Sequence, residues 1–160
     1  MARVHHSAIC TSDVETSLRF WRDGLGFEQL MDHHFDGDWP HLFGAPSTRL
    51  RSIFLGDADS ADAGVVELVV FEDPGSMPTP PPPSPDAAAP AVGFLLLSLY
   101  ADIDATLDRL AEMGLGGQPR VTSVGPDVRM AVVRDPNGVT VELIGGAAQQ
   151  NLTRLTNRPR

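Results

Sequence analysis

The stretch SDVETSLRFWRDGLGF, residues 12–27, has the pattern of an amphipathic helix that ends at glycine. Ser12 or Asp13 can cap its N-terminus, because a short polar side chain accepts a hydrogen bond from the free N–H groups of the first turn. Gly24 and Gly26 end the pattern. The apolar stripe at helical spacing is Val14, Leu18, Trp21 and Leu25.

A second stretch, ADIDATLDRLAEMGLGG at residues 101–117, has the same organisation. Its apolar stripe is Ile103, Leu107, Leu110 and Met113, and Gly114 follows directly. The two helices are therefore predicted to be corresponding parts of an internal repeat.

Strand patterns surround both helices in the same order, one before the helix and three after it. In the first half the candidate strands are Arg3–Cys10, Glu28–His33, Arg51–Leu55 and Val65–Phe71. In the second half they are Gly93–Tyr100, Pro119–Val124, Arg129–Arg134 and Val139–Ile144. Asn137-Gly138 between the last two indicates a hairpin turn. The predicted fold is α+β, with two tandem βαβββ modules forming a curved mixed sheet around a central cleft.

The predicted modules are residues 1–72 and 92–146. Between them, residues 73–91 are rich in proline, which is incompatible with the interior of a helix or sheet, so this segment is predicted to be an extended connector. Residues 147–160 form a polar tail.

The composition excludes some classes of partner. The chain has a net charge of −9, and its basic residues are all arginine, which argues against binding to nucleic acid. A single cysteine, Cys10, cannot form an internal disulfide, and no apolar stretch is long enough to cross a membrane. From these features we expect a cytoplasmic protein. We also expect a homodimer, because small sheet modules leave strand edges to cover.

The opening His5-His6-Ser7-Ala8-Ile9 with the helix after it, and the closing DPNGVTVELI at residues 135–144, resemble the vicinal oxygen chelate (glyoxalase/bleomycin resistance/dioxygenase) superfamily. The resemblance covers about Val4 to Ile144. It implies a strongly curved, U-shaped sheet whose inward-facing strand ends can hold a divalent metal ion.

The resemblance also implies the ligands of this metal site. His6, Glu67 and Glu142 match three of its positions, while Leu96 stands where the family usually has a second histidine. Imidazole and carboxylate groups suit Zn²⁺, Ni²⁺, Mn²⁺ or Fe²⁺. Without a metal, each glutamate could instead face solvent or pair with Arg129 or Arg134.

Other residues are candidates for the wall of a ligand pocket: Leu96, Trp39, Phe43 and Arg51. Arg51 could anchor a carboxylate or phosphate of a ligand. His33, His34 and His41 flank a loop around Trp39 that suits a lid or cavity wall, and one of them could replace the missing ligand.

Two functions follow from these features. The first is a glyoxalase-like, metal-assisted lyase or isomerase acting on a small organic substrate with adjacent oxygens, with Glu142 or Glu67 as the catalytic base. The alternative is a metal-free binding or sequestration protein, as in antibiotic resistance, which the apolar Leu96 favours. Extradiol ring cleavage is disfavoured because it needs the histidine that Leu96 replaces.

Overall fold

The computed structural model describes residues 4–60, 64–72, 77–78, 93–125 and 128–146. The chain forms two compact units, Met1–Pro81 and Pro82–Arg160. The predicted tail lies outside the described residues, as does the predicted connector apart from Met77 and Pro78. The boundaries of the two modules and of the connector stay predictions.

The first unit contains one mixed sheet of four strands in the order β1-β4-β3-β2. The strands are β1 (Ser7–Cys10), β2 (Glu28–Asp36), β3 (Arg49–Gly56) and β4 (Val66–Phe71). β1 and β4 are parallel, and the other pairs are antiparallel. The second unit repeats this topology as β5-β8-β7-β6. Its strands are β5 (Leu97–Tyr100), β6 (Gly116–Gly125), β7 (Val128–Arg134) and β8 (Thr140–Gly146). The predicted α+β fold with two βαβββ modules is confirmed.

A helix follows the first strand of each unit. In the first unit α1 (Val14–Leu18) continues as a π-helical segment, Arg19–Gly24. In the second unit the corresponding helix is α3 (Ile103–Glu112). Asp13 and Asp102 cap the two helices by accepting hydrogen bonds from the backbone N–H groups of Thr16 at 3.0 Å and Ala105 at 3.2 Å. Of the two candidate caps in the first unit, the structure therefore selects Asp13.

The buried face of the first helix differs from the predicted stripe. Ser17, Phe20, Trp21 and Gly24 are buried, whereas Val14, Leu18 and Leu25 are half-buried. The Ser17 hydroxyl shares a 2.8 Å hydrogen bond with Thr11, which allows this polar side chain to be buried. A serine and a glycine therefore belong to the buried face, so hydrophobicity alone did not identify it.

Two further helical segments lie in the first unit. The prediction of a loop after His33 is wrong in part. β2 continues to Asp36, and residues Trp39–Phe43 form a short helix, α2. Asp38 caps α2 through its Oδ1 atom, and Gly44 ends it with a φ of +66°. A 3₁₀ turn, Ala58–Ser60, precedes β4.

The last hairpin of the second unit has the predicted turn. Asp135 Oδ1 accepts hydrogen bonds from the backbone N–H groups of Asn137 at 2.9 Å and Val139 at 2.7 Å. Gly138 has a φ of +86°, a conformation that favours glycine. Among the described residues, no helix is long and apolar enough to span a bilayer.

Candidate functional site

The sheet of the first unit has two different faces. Alternate residues of each strand point to opposite faces. Ile53, Leu55 and Leu68 lie on one face of the sheet and are fully buried. The opposite face forms the wall of a cavity of about 870 Å³.

Every strand of this sheet contributes to the cavity wall. The strand residues, together with His6 just before β1, are His6, Ala8, Cys10, Met31, Phe35, Leu50, Ser52, Phe54, Glu67, Val69 and Phe71. Residues outside the strands complete the wall: Trp39, Phe43, Gly44, Ala45, Pro46, Met77 and Pro78. The cavity is therefore apolar over most of its surface, with a few polar groups.

The polar groups meet at one place on the wall. The carboxylate of Glu67 lies with its Oε2 atom 3.0 Å from Nε2 of His6, and its Oε1 atom accepts a hydrogen bond from the hydroxyl of Ser52. Ser52 is almost completely buried, and the Glu67 side chain is 13% exposed. Each carboxylate oxygen thus has a defined partner, which offsets the cost of placing a charge on an apolar wall.

The pairing of the strands explains why these residues meet. β1 and β4 run parallel with Ala8 opposite Glu67, so His6 lies just before the strand that neighbours the carboxylate. On the other side of β4, Phe54 lies opposite Glu67, and Ser52 is two residues away on the same face of β3. Ser52 was not among the residues predicted from the sequence, because no local pattern indicates its contact with Glu67.

The second ring nitrogen of His6 is also engaged. Nδ1 of His6 lies 2.7 Å from Nδ1 of His5, so one imidazole donates a hydrogen to the other. The His6 ring also contacts Phe54, with a centroid distance of 5.1 Å. These contacts hold the imidazole beside Glu67.

Cys10 faces the same cavity. Partial burial, and secondarily the negative charge of Glu67, raise the pKa of the Cys10 thiol. The thiol is nevertheless exposed in the cavity rather than packed in the core.

The predicted pocket residues have different locations. Trp39 and Phe43 line the cavity, and their rings are nearly parallel at an interplanar angle of 6°. Arg51 lies on the opposite face of β3. There its Nε and Nη2 atoms donate hydrogen bonds to the carboxylate of Asp32 at 2.7 and 2.6 Å. Strand alternation thus directs Arg51 away from the cavity, although its neighbours Leu50 and Ser52 line it.

Glu142 and Leu96 belong to the second unit. Glu142 lies on β8 and accepts a 2.7 Å hydrogen bond from the Ser98 hydroxyl on β5. Leu96 directly precedes β5 and is half-buried. His33 and His34 lie on β2 and His41 lies on α2; all three are exposed.

The donor atoms of the first unit suit a metal ion in type but are few. An imidazole nitrogen and a carboxylate oxygen at 3.0 Å have the chemistry and approximate separation of two neighbouring ligands of a divalent ion. Within the described part of the chain, no group of three or more His, Cys, Asp or Glu side chains is arranged to hold a metal. The ligand set His6, Glu67 and Glu142 therefore stays a prediction from the sequence.

Comparison with known proteins gives consistent matches. The model of the Glyoxalase/Bleomycin resistance protein/Dioxygenase superfamily matches residues 3–143. The lactoylglutathione lyase-like protein terB of Aspergillus terreus is 36% identical over 150 residues, which cover 88% of this chain and 74% of that protein.

Two solved structures have similar folds. A glyoxalase family protein from Bacillus cereus superposes with a TM-score of 0.67 at 20% identity, covering 91% of this chain and 95% of that one. TnmS3, an antibiotic binding protein from Streptomyces sp. CB03234, gives a TM-score of 0.51 at 25% identity, covering 91% and 97%. With the family match over most of its length, the chain belongs to the Glyoxalase/Bleomycin resistance protein/Dioxygenase superfamily.

Proposed function

We propose that this protein is a glyoxalase-like lyase or isomerase that moves a proton on a small organic substrate with adjacent oxygens. The observation that carries the proposal is the His6–Glu67 pair on the wall of the first-unit cavity, with Ser52 holding the second carboxylate oxygen. The lactoylglutathione lyase-like relative at 36% identity supports the same class of reaction.

Glu67 is the proposed base. Its Oε2 atom removes a proton from the substrate carbon next to a carbonyl group, and the electron pair of that C–H bond moves toward the carbonyl oxygen. The same carboxyl group then returns the proton to the former carbonyl carbon, while the hydroxyl proton of the first carbon moves to the neighbouring enediolate oxygen and a new carbonyl group forms on the first carbon, which completes an isomerisation. Ser52 orients the carboxylate through Oε1, and Oε2, which lies beside His6, is the proposed reacting oxygen.

His6 has a second role in this scheme. Its Nε2 atom lies next to the reacting oxygen of Glu67, within reach of an enediolate formed at the same place. A hydrogen bond donated by His6 to the enediolate oxygen would stabilise the negative charge that develops on this oxygen.

A divalent metal ion belongs to the same proposal. The ligands His6, Glu67 and Glu142 stay predictions from the sequence; a bound ion would take the place of the His6 hydrogen bond and would polarise the oxygens of the substrate. The homodimer and the cytoplasmic location also stay predictions from the sequence.

The experiment follows proton exchange and metal content together. α-Hydroxyketones and adducts of 2-oxoaldehydes with thiols are incubated with the full chain in D₂O, and deuterium incorporation is followed by NMR. We expect exchange with the wild type and its loss in Glu67→Gln. Mass-spectrometric metal analysis of wild type, His6→Ala and Glu142→Ala tests the ligands. The absence of exchange for every compound with the wild type would reject the proposed reaction.

A second function is favoured by the apolar character of the cavity wall. A binding or sequestration protein would use the cavity without turnover, and similarity to the antibiotic binding protein TnmS3 supports this alternative. It predicts tight binding of an aromatic ligand, unchanged in Glu67→Gln, with no chemical conversion.

A further inference from the structure

The cavity wall in the first unit has a charge pattern that limits what can bind there. Its polar side chains are those of His6, Cys10, Ser52 and Glu67, and no lining residue within the described part of the chain is arginine. Since the chain contains no lysine, arginine is the side chain that could offer a permanent positive charge to an anionic ligand. The carboxylate of Glu67 instead places a negative charge on the wall.

Two described arginines on strand β3 of this sheet, Arg49 and Arg51, are paired with carboxylates outside the cavity. Arg51 pairs with Asp32 at 2.6 Å on the other face of the sheet. Arg49 lies 3.2 Å from Glu72. Moving either guanidinium into the cavity would break an ion pair that the folded chain already makes. Among the described residues that line the cavity, an anionic ligand beside Glu67 would therefore find no arginine to neutralise it.

The remaining wall offers aromatic surface in a fixed position. The indole N–H of Trp39 donates to the Phe35 carbonyl oxygen at 3.3 Å. A Cβ atom on Gly37 would lie 2.7 Å from two atoms of the indole ring, so this glycine permits the ring to occupy its position. The Phe43 ring stacks on Trp39 with a centroid distance of 5.9 Å.

Part of this aromatic surface is open to solvent. Phe43 is 64% exposed and Phe35 is 39% exposed, although both line a cavity. A cluster of exposed aromatic side chains is a common feature of ligand-binding grooves. The cavity volume of about 870 Å³ is in the range that encloses a small molecule of several rings.

From these features we infer that the α-hydroxyketone substrate of the proposed reaction carries a flat, uncharged aromatic group, and is not a glutathione adduct. This inference rests on the proposed function and names its substrate class. The rings lie against Trp39 and Phe43, and the hydroxyl group donates a hydrogen bond to Glu67. A glutathione adduct carries two carboxylates and one ammonium group, and its net negative charge is unfavourable beside the carboxylate of Glu67.

The test measures binding to the full chain by isothermal titration calorimetry at neutral pH. The probes are naphthol, which is uncharged, naphthol sulfonate, which adds one negative charge to the same rings, and S-hexylglutathione. We expect naphthol to bind at one molecule per chain. Naphthol sulfonate is expected to bind about tenfold more weakly, because its charge approaches that of Glu67. S-hexylglutathione is expected to bind more weakly than naphthol as well.

Three variants test the aromatic wall. Trp39→Ala removes the ring and is expected to weaken naphthol binding about tenfold. Gly37→Ala keeps the tryptophan but displaces it, so it should also weaken binding. Leu42→Ala is the matched control, because Leu42 is exposed on α2 and does not line the cavity. Its affinity for naphthol should equal that of the wild type.

The outcomes separate this inference from the proposed function. Absence of naphthol binding, equal binding of naphthol sulfonate or S-hexylglutathione, or unchanged binding in Trp39→Ala would overturn the inference, even if proton exchange occurs. If the expected binding pattern holds but the wild type exchanges no proton, the proposed reaction fails and the ligand class stands. If Glu67→Gln still binds naphthol but no longer exchanges deuterium into the substrate, the result supports both the ligand class and the proposed reaction.

Discussion

The two units place a glutamate at the same position of the same sheet topology but surround it differently. Glu67 on β4 lies opposite Ala8 on β1, and Glu142 on β8 lies opposite Ser98 on β5. His6 precedes Ala8 by two residues, just as Leu96 precedes Ser98. The two carboxylates are therefore equivalent by register, and the sequences around them have diverged.

The partners of the two carboxylates reflect this divergence. Glu67 has His6 at 3.0 Å and the hydroxyl of Ser52, whereas Glu142 accepts a 2.7 Å hydrogen bond from Ser98. In the second unit, the residue that corresponds to Ser52 is Met130. In the second unit, Ser98 on β5 is thus the hydrogen-bond partner described for Glu142. In the first unit, the partners of Glu67 are His6, just before β1, and Ser52 on β3. The imidazole–carboxylate pair suited to proton transfer belongs to the first unit.

The largest expected difference is between Glu67→Gln and Glu142→Gln. The first should lower the rate of deuterium exchange by about 100-fold or more, because an amide cannot accept the proton. The second should cause a smaller loss, measured with the same substrate by NMR. Equal losses in the two variants would contradict the proposed difference between the two carboxylates.

The serine partners give the next comparison. Ser52→Ala should reduce the exchange rate about tenfold, because Glu67 loses the hydrogen bond that orients its carboxylate. Ser98→Ala is the matched variant in the second unit and should leave the rate close to that of the wild type. Ser52→Thr, which keeps the hydroxyl, should restore part of the activity. A rate for Ser52→Ala equal to that of the wild type would argue against the orienting role.

Cys10 provides a chemical probe of the charge on Glu67. Partial burial and the Glu67 carboxylate raise the pKa of the thiol, so Glu67→Gln should lower it and increase the thiolate fraction at neutral pH. We expect alkylation by iodoacetamide to become faster by less than about tenfold, as followed by mass spectrometry. The matched variant Glu142→Gln should leave the rate unchanged. Slower alkylation in Glu67→Gln would contradict this electrostatic coupling.

The smallest expected effect concerns an ion pair in each unit. The hydrogen bonds from Arg51 hold the pKa of Asp32 below its usual range, so the pair stabilises the fold above the ordinary pKa of Asp. That contribution disappears as pH falls through the lowered value. Asp32→Asn should therefore reduce the free energy of unfolding by about 1 kcal/mol or less at pH 7.

Urea unfolding measured at neutral and acidic pH checks this expectation. The loss in Asp32→Asn should shrink as Asp32 of the wild type becomes protonated. Asp104→Asn, which removes the exposed partner of Arg129 in the second unit, should cost less at neutral pH. A pH-independent difference between the wild type and Asp32→Asn would indicate that the pair does not act through charge.

Much of the fold could be predicted because its signals are local. The capping aspartates, the glycines that end the helices and the Asn137-Gly138 turn each act within a few residues. The short helix Trp39–Phe43 was missed, although Asp38 before it and Pro40 in its first turn are signals of a helix start. The buried face of the first helix was also missed, because it depends on the hydrogen bond between Ser17 and Thr11.

The candidate site could be predicted only in part. The resemblance indicated His6 and Glu67, and the aromatic residues Trp39 and Phe43 were identified as possible lining. Arg51 was expected at the pocket, but its neighbours on β3 face the cavity and it does not. A shift of one residue in a strand reverses which side chains face a ligand, and local sequence patterns define strand ends only approximately.

The sequence by itself determined the order of elements, the repeat and the chemical character of the residues available to a site. These depend on periodicity, turn residues and composition, which are properties of neighbouring residues. The tertiary structure alone decided that His6 meets Glu67 and that Ser52 orients it, because parallel pairing of β1 with β4 and antiparallel pairing with β3 bring together residues far apart in the chain. It also decided that Arg49 and Arg51 pair with Glu72 and Asp32 outside the cavity.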